Sequence, residues 1–396
     1  METESPSNQA WTKGTASVLG IGISATTIAA LPTLLVGGLA VLMQRDLRFG
    51  ASELGAGIAT AFFVAAVAAV PAGRLADRLG PKLTTSIGLG FALVALLGLG
   101  TVVRDWIQLA VCLSFAGAGI TTVQLGVNVL LARRIPPGQQ GLAFGIKQAA
   151  VPMASLIAGL SLPLIGLTIG WRAAFLLAAA CIPIVMWLVP DARADRPAGA
   201  MHEAAGVALR PLLLLGVGLA LASAGGNSTP AFIVSSGVDR GLSPAGAGLV
   251  LAGGSVVGIT VRVMAGWLGD HLGRGSLLLV AALVSIGAVG YAGLSQADDP
   301  ALIALFAALA FGGGWGWGGL TLLALSRISP GAPGRAMGIV QIGPMSGAVL
   351  GPLVFGGLAE QVSFAAAWST MALLAVLGVA TIMISRPLLL RHRQSR

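Results

Sequence analysis

The sequence predicts an all-α integral membrane protein with twelve transmembrane helices in two pseudo-symmetric six-helix bundles. Of its 396 residues, 56% are hydrophobic and only 9% are charged, whereas ordinary soluble domains have about 25% charged residues. The mean hydropathy is +0.91. The apolar residues form long runs, each near the ~20 residues that cross ~30 Å of hydrocarbon. The chain also repeats itself at an offset of 193 residues.

Twelve apolar runs define the predicted helices α1 to α12. They cover residues 15–43, 53–72, 83–103, 107–132, 142–168, 172–189, 210–236, 244–266, 276–296, 300–326, 335–357 and 364–385. Short alternating segments typical of barrel strands are absent, so the spans are helical. The 58 glycines fit this assignment because small residues let membrane helices approach closely.

The internal repeat predicts the domain organisation. The polar segment from Gly73 to Lys82 recurs as Gly266 to Arg274, with two glycines and an aspartate in register. Further pairs at the same offset are Gly145 and Gly338, Ile146 and Ile339, and Gln148 and Gln341. Repeated multi-helix units are typical of membrane transporters. We therefore expect an N-terminal bundle over residues 1–189, a cytoplasmic linker over 190–209 and a C-terminal bundle over 210–396.

The placement of basic residues predicts the topology. With a cytoplasmic N-terminus, sixteen of the 23 Lys and Arg residues lie on the cytoplasmic side and five outside, while Lys147 and Arg262 lie within spans. The positive-inside rule then puts both termini in the cytoplasm of a bacterium, with a multi-pass chain in the inner membrane. Topology accounts for the net charge of +9, so we expect a lipid bilayer and no nucleic acid as partner. No Cys/His cluster has metal-ligand spacing, and we expect a monomer without cofactors.

The repeated polar segment resembles the signature of the major facilitator superfamily, a loop of the form Gly-x-x-x-Asp-Arg-x-Gly-x-Lys between α2 and α3. The first copy matches at Gly73, Asp77, Arg78, Gly80 and Lys82. The weaker copy between α8 and α9 keeps Gly266, Asp270, Gly273 and Arg274, with His271 in place of the arginine. The resemblance covers essentially the whole chain. It implies a non-ATP-driven transporter that carries a small-molecule substrate by alternating access.

The residue types of this segment have physical reasons. Gly73 and Gly80 permit a tight turn, and Pro81 suits the first turn of α3. By resemblance, Asp77 and Arg78 form a cytoplasmic latch that is made in one conformation and broken in the other. The alternative is that the basic residues only fix topology, but the positive-inside rule does not need an aspartate. For His271 and Arg274 both interpretations stay open.

The resemblance also implies that α1, α4, α7 and α10 line a central cavity. These helices carry polar residues and glycine or proline interruptions, which are tolerated where they face protein or water. The candidate substrate-binding residues are Thr27, Gln124, Asn128, Asn227, Ser228, Trp315 and Trp317. Gln124 and Asn128 share a helical face, for substrate contact or an inter-helix hydrogen bond. Trp315 and Trp317 are two residues apart, so we expect one to line the cavity while the other packs.

Two basic residues within the spans are further candidates. Lys147 lies ~9 Å along α5 from Gly141, where a charge normally faces a water-filled path or a partner. Its alternative is to extend its long side chain to the interface. Arg262 is near the end of α8, and we expect it to reach the interface or Asp270. Gln148 and Gln341 are repeat-related and either face one another across the cavity or pack between the halves.

An absence of buried acids predicts the kind of solute. No Asp or Glu lies at mid-depth in a predicted span, whereas proton relays usually use intramembrane carboxylates. With Lys147 inside, a small anionic solute matches better than a cationic drug. The Gly-Ile-Lys-Gln segment of α5 also looks somewhat like the cyanate permease and monocarboxylate transporter branches. The alternative is a proton-coupled multidrug or metabolite efflux antiporter. No HExxH or GxSxG motif indicates an enzyme.

Overall fold

The computed structural model describes residues 13–136, 143–191, 209–271, 276–328 and 333–394, and all regular structure in these ranges is helical. In the first half, α1 is Lys13–Gly38 and continues as Ala40–Leu47. Helices α2 and α3 both lie in the segment Ala51–Thr101. Helix α4 is Trp106–Arg134, α5 is Ala143–Gly166 and α6 is Trp171–Leu188. In the second half, α7 is Leu209–Asp239, α8 is Pro244–His271, α9 is Ser276–Leu294, α10 is Pro300–Gly316 continuing as Gly318–Ile328, α11 is Pro333–Gln361 and α12 is Phe364–Gln394. Residues 192–208 of the predicted linker lie outside the described ranges.

The segment Ala51–Thr101 contains two spans rather than one. A straight helix of its 51 residues would be ~77 Å long at ~1.5 Å per residue, more than twice the hydrocarbon thickness. Gly80 breaks the helix with φ 78° and ψ 172°, a backbone conformation that favours glycine. Ala61 before the break and Gly88 after it both pack against α4 near Gly117 and Gly119. The chain therefore reverses at Gly80, and the predicted all-α architecture of twelve spans is confirmed.

The polar segment between α2 and α3 differs from the predicted loop. Residues 73–79 continue α2 as helix, and only Gly80 has a positive φ within this segment. Gly73 is not part of the turn, and a Cβ built on it would meet no atom within 4 Å. Asp77 and Arg78 are exposed. The helix extends past the apolar run because helical hydrogen bonds satisfy the backbone while the polar side chains stay in water.

The two halves cross at repeat-related places, at the end of the bundle opposite the Gly80 turn. Where α5 crosses α8, a Cβ on Gly248 would lie 2.8 Å from the carbonyl oxygen of Gly159. Where α2 crosses α11, a Cβ on Gly55 would overlap the carbonyl oxygen of Pro352. Gly55 and Pro352 are the repeat counterparts of Gly248 and Gly159 at the offset of 193. Small residues thus hold the halves together at both crossings.

Polar contacts reinforce this end of the bundle. The Ser235 hydroxyl donates to Gln44 Oε1 at 3.0 Å, and the Ser52 backbone N–H donates to Glu360 Oε2 at 2.7 Å. Both contacts join one half to the other. The halves are therefore closed against each other at this end, which positions any space between them on the Gly80 side.

Candidate functional site

A cavity of about 1090 Å³ lies between the two halves. Its walls come from α1, α4, α7 and α10, as the resemblance implied, together with parts of α2, α5, α8 and α11. Val70, Asn128, Leu325 and Gly338 line it toward the Gly80 end. The cavity therefore lies on the side of the crossings that the charge distribution predicts to be cytoplasmic.

Eight of the sequence-predicted site residues line this cavity. They are Gln124, Asn128, Gln148, Asn227, Arg262, Trp315, Trp317 and Gln341. Arg262 is the one ionisable side chain among the described residues that line it. The fold thus brings residues from six different helices around a single positive charge.

Arg262 joins the two halves through hydrogen bonds to backbone carbonyls. Its Nη1 donates to the carbonyl oxygen of Gln148 on α5 at 2.7 Å. Its Nε and Nη2 donate to the carbonyl oxygen of Trp315 on α10 at 3.0 and 2.8 Å. The guanidinium carbon lies 5.0 Å from the centre of the Trp315 ring, within the range of a cation–π contact.

Both acceptor carbonyls lie at helix interruptions. The Gln148 carbonyl would normally accept from the N–H of residue 152, which is Pro152 and has no N–H. Around it, α5 forms a turn at Gln148 and Ala149. The Trp315 carbonyl lies just before Trp317, where α10 is interrupted. Carbonyls without a helical partner are costly inside a membrane, so the guanidinium and the interruptions stabilise each other.

The expected position of Arg262 was wrong. The sequence favoured a side chain that reaches the interface or contacts Asp270, but the guanidinium bonds Gln148 and Trp315 between the halves. An arginine has five N–H donors in a fixed fork, and here two free carbonyls and an aromatic face supply matched partners. The Val151-Pro152 pair was the signal for a free carbonyl at Gln148.

Trp315 and Trp317 also differ from the expectation that only one would line the cavity. Both line it, because α10 is interrupted at Trp317 and the rule for side chains two apart holds only in a regular helix. The Trp317 indole donates to the carbonyl oxygen of Gly314 at 2.8 Å, which fixes its ring at the interruption.

Four side-chain amides in the cavity make no hydrogen bond to the described part of the chain. They belong to Gln124, Asn128, Gln148 and Gln341, and each is at least partly exposed. The inter-helix hydrogen bond considered for Gln124 and Asn128 is not formed among the described residues. These amides face the cavity with donors and acceptors available to water or a solute.

Asn227 is held in place by Ser223, a cavity residue that the sequence analysis missed. Asn227 Nδ2 donates to the Ser223 carbonyl and hydroxyl oxygens, both at 2.9 Å. The Ser223 hydroxyl in turn donates to the carbonyl oxygen of Pro344 on α11 at 2.8 Å. Ser223 lies four residues before Asn227, so the shared helical face was the signal that could have found it.

Three predicted site residues do not line the cavity. Thr27 donates to the carbonyl oxygen of Ala150 at 3.1 Å, and Ser228 donates to that of Ala224 at 2.8 Å. Lys147 is 3% exposed, and within the described ranges it forms no hydrogen bond or ion pair. The sequence assigned the positive charge of the cavity to Lys147, but in the structure Arg262 supplies that charge at the cavity wall.

The predicted latch stays a prediction. In this structure neither Asp77 nor Arg78 forms a hydrogen bond or ion pair with another described residue, while Lys82 Nζ lies 3.4 Å from Asp191 Oδ2. In the second copy, Gly266 and Asp270 belong to α8. Gly273 and Arg274 lie outside the described residues.

Comparisons with known proteins agree with this architecture. A bacterial homologue of the human lysosomal transporter Spinster has 17% sequence identity and a TM-score of 0.70, with 97% of this chain and 98% of that chain covered. A D-xylose–proton symporter has 15% identity and a TM-score of 0.73, with 93% and 97% covered. At this identity the likeness concerns the fold.

The family assignment comes from the sequence match. The model of the Major Facilitator Superfamily matches residues 18–236 and again residues 213–395, so each half of the chain matches it separately. Together with the helical architecture and the cavity between the halves, this match identifies a membrane transporter and not an enzyme. The chain belongs to the Major Facilitator Superfamily.

Proposed function

We propose that the protein moves a small anionic solute across the bacterial inner membrane by alternating access, as a monomer with both termini in the cytoplasm. The observation that carries the proposal is Arg262, the single ionisable side chain among the described residues of the cavity wall. A positive charge in a low-dielectric cavity without a carboxylate nearby attracts anions and repels cations.

The geometry of Arg262 leaves capacity for a solute. Three of its five N–H groups are used on the Gln148 and Trp315 carbonyls. One N–H on each terminal nitrogen remains, and a carboxylate or similar oxyanion is recognised by such a pair. The free amides of Gln148 and Gln341 add neutral donors in the same cavity. An anion thus gains partners without displacing the guanidinium from its carbonyls.

Alternating access follows from where the halves touch. The cavity lies on the Gly80 side of both crossings. A solute in the cavity reaches the other side of the membrane only when the crossings at Gly55 and Gly248 separate. In that second state we expect Asp77 and Arg78 to close the Gly80 end as the latch. Because no ATP-binding motif is present, we expect a solute or ion gradient to drive the exchange.

The test is ligand-induced stabilisation of the purified protein, since a ligand that binds the native state raises its apparent stability. A panel of small anions and cationic drugs is compared on the wild type, Arg262→Gln, Arg262→Lys and Lys147→Ala. We expect anions to stabilise the wild type and Lys147→Ala alike. Arg262→Gln, which keeps N–H donors but loses the charge, should lose about tenfold to a hundredfold in anion affinity. Arg262→Lys should retain part of it.

Flux into proteoliposomes then follows for the anions that bind. If only cationic drugs stabilise the protein, and Arg262→Gln binds them as well as the wild type, the anion proposal is wrong. The efflux antiporter would then take its place. If anions bind equally well to Arg262→Gln, another group holds them and Arg262 is not the counter-charge.

A further inference from the structure

The wall of the cavity that α2 contributes, next to α11, is apolar. Phe63 and Val70 of α2 and Ile342 of α11 all line the cavity. The same three side chains are 58%, 62% and 64% exposed. The residues that α2 contributes to the cavity, between Ile58 and Val70, carry no polar side chain. The cavity therefore has an apolar wall along α2 on which these three side chains leave more than half of their surface uncovered.

The repeat-related wall between α5 and α8 is different. Val256 and Val263 of α8 are the counterparts of Phe63 and Val70 at the offset of 193. They are 48% and 51% exposed, but they do not line the cavity. On this side the helices are joined by Arg262 and Gln148 and by the hydroxyls of Ser155 and Ser255, 2.8 Å apart.

At the counterpart positions on the α2–α11 side, neither pair consists of two polar residues. Arg262 and Gln148 correspond to Ala69 and Gln341, and Ser255 and Ser155 correspond to Phe62 and Ala348. Past the crossing at Gly55, no hydrogen bond joins α2 to α11 in the described residues. Beyond the crossings, hydrogen bonds between described residues join α5 to α8 but not α2 to α11.

We propose that the solute is an amphipathic organic anion with a single hydrocarbon tail. This inference rests on the proposed function and specifies the substrate class of the same site. The anionic headgroup binds Arg262, and the tail lies on the apolar cavity wall along Phe63, Val70 and Ile342.

Physical arguments favour this occupant over a compact hydrophilic anion. The cavity volume of about 1090 Å³ lies just above the ~300–1000 Å³ that is usual for small-molecule sites. A hydrophilic ion would lose water along α2 without compensation, because α2 contributes no polar side chain to the cavity among its described residues. A hydrocarbon tail has no such penalty, and each methylene moved from water into apolar surroundings raises affinity about fourfold.

The two exposed valines supply a matched test. In a Cys112→Ala, Cys181→Ala background, which removes both native cysteines, Val70→Cys and Val263→Cys are each labelled with a bulky thiol reagent in lipid nanodiscs. Binding of butyrate and dodecanoate is measured before and after labelling. We expect the unlabelled variants to bind dodecanoate at least about tenfold more tightly than butyrate. Labelling Val70→Cys should abolish that difference and leave butyrate binding intact. Labelling Val263→Cys should change neither.

The other possible outcomes distinguish a failure of this inference from a failure of the proposed function. If butyrate and dodecanoate bind equally, or the two labels act alike on dodecanoate, the apolar wall along α2 does not hold the tail and the inference is overturned. The anion proposal would stand in that case, since butyrate still binds. If neither carboxylate binds and only cations do, the proposed function fails and the inference fails with it.

Discussion

The α5–α8 interface (residues 148–159 with 248–262) and the α2–α11 interface (residues 341–352 with 55–69) are repeat-related but not equivalent. At one end they share the same crossing, in which a glycine of one helix meets a carbonyl of the other. Toward the Gly80 side, the α5–α8 interface continues through Ser155–Ser255 and Gln148–Arg262. On the α2–α11 side the corresponding positions, Phe62 with Ala348 and Ala69 with Gln341, line the cavity instead.

Two copies of one repeat unit have thus become two interfaces with different contacts. The crossings depend on small residues, which both copies retain. The polar pairs depend on single side chains, and Arg262 has Ala69 as its counterpart. Differences at a few positions thus give the α5–α8 interface a charge-assisted hydrogen bond that the α2–α11 interface lacks. Such bonds are roughly twice as strong as neutral ones. The same arginine is the one ionisable side chain among the described residues of the cavity wall, so this interface and the proposed anion site share one group.

The largest expected effect comes from removing the hydrogen bonds of Arg262. Arg262→Met leaves the carbonyls of Gln148 and Trp315 without the donors that now satisfy them. We expect the free energy of unfolding to fall by about 2–4 kcal/mol, the cost of unmade buried hydrogen bonds to a charged group. Thermal unfolding in a mild detergent measures it. The matched control is Ala69→Met at the repeat counterpart, which should stay within about 0.5 kcal/mol of the wild type. Equal losses in the two variants would mean that the interfaces are equivalent.

The fold was predicted well because it depends on properties that are summed over many residues. Apolar run length, the offset of 193 and the Gly80 turn each constrain many residues at once. Single side chains are harder. The orientation of Arg262 depended on two carbonyls that are free only because of Pro152 and the interruption at Trp317. A prediction that treats every span as a regular helix does not reveal carbonyls that lack a helical hydrogen-bond partner.

Arg262 was among the candidate residues named from the sequence, but the sequence placed the positive charge of the cavity at Lys147. The amides of Gln124, Asn128 and Gln341 face the cavity, as their polarity in apolar runs indicated. Lys147 and Arg262 were both recognisable as charges inside spans, but their depth along a helix did not decide which one faces the cavity. That depends on rotation about the helix axis and on the turn at Gln148, which only tertiary packing fixes.

A smaller effect is expected where the two interfaces are alike. Gly248→Ala and Gly55→Ala each place a methyl group against a carbonyl oxygen of the opposite half. We expect both to lower the free energy of unfolding by about 1–3 kcal/mol, as overpacking does, and by similar amounts. Gly253→Ala and Gly73→Ala are the controls on the same helices, because a Cβ there meets no atom within 4 Å. A marked difference between Gly248→Ala and Gly55→Ala would show that the crossings are not equivalent either.

The smallest effect concerns the serine pair. Ser255 Oγ lies 2.8 Å from Ser155 Oγ and 2.7 Å from the Leu251 carbonyl oxygen. Its single proton serves one of these two contacts at a time, so each single alanine variant removes only part of the network. A double-mutant cycle on Ser155→Ala and Ser255→Ala should give a coupling of about 0.6 kcal/mol, the average for membrane hydrogen bonds. Phe62→Ser and Ala348→Ser place the same pair at the repeat counterparts. We expect their coupling to be near zero, because Phe62 and Ala348 both line the cavity and the introduced hydroxyls would face it. A coupling as large as that of the native pair would require the two hydroxyls to meet, and this part of the wall would then be closed to the tail of an amphipathic solute.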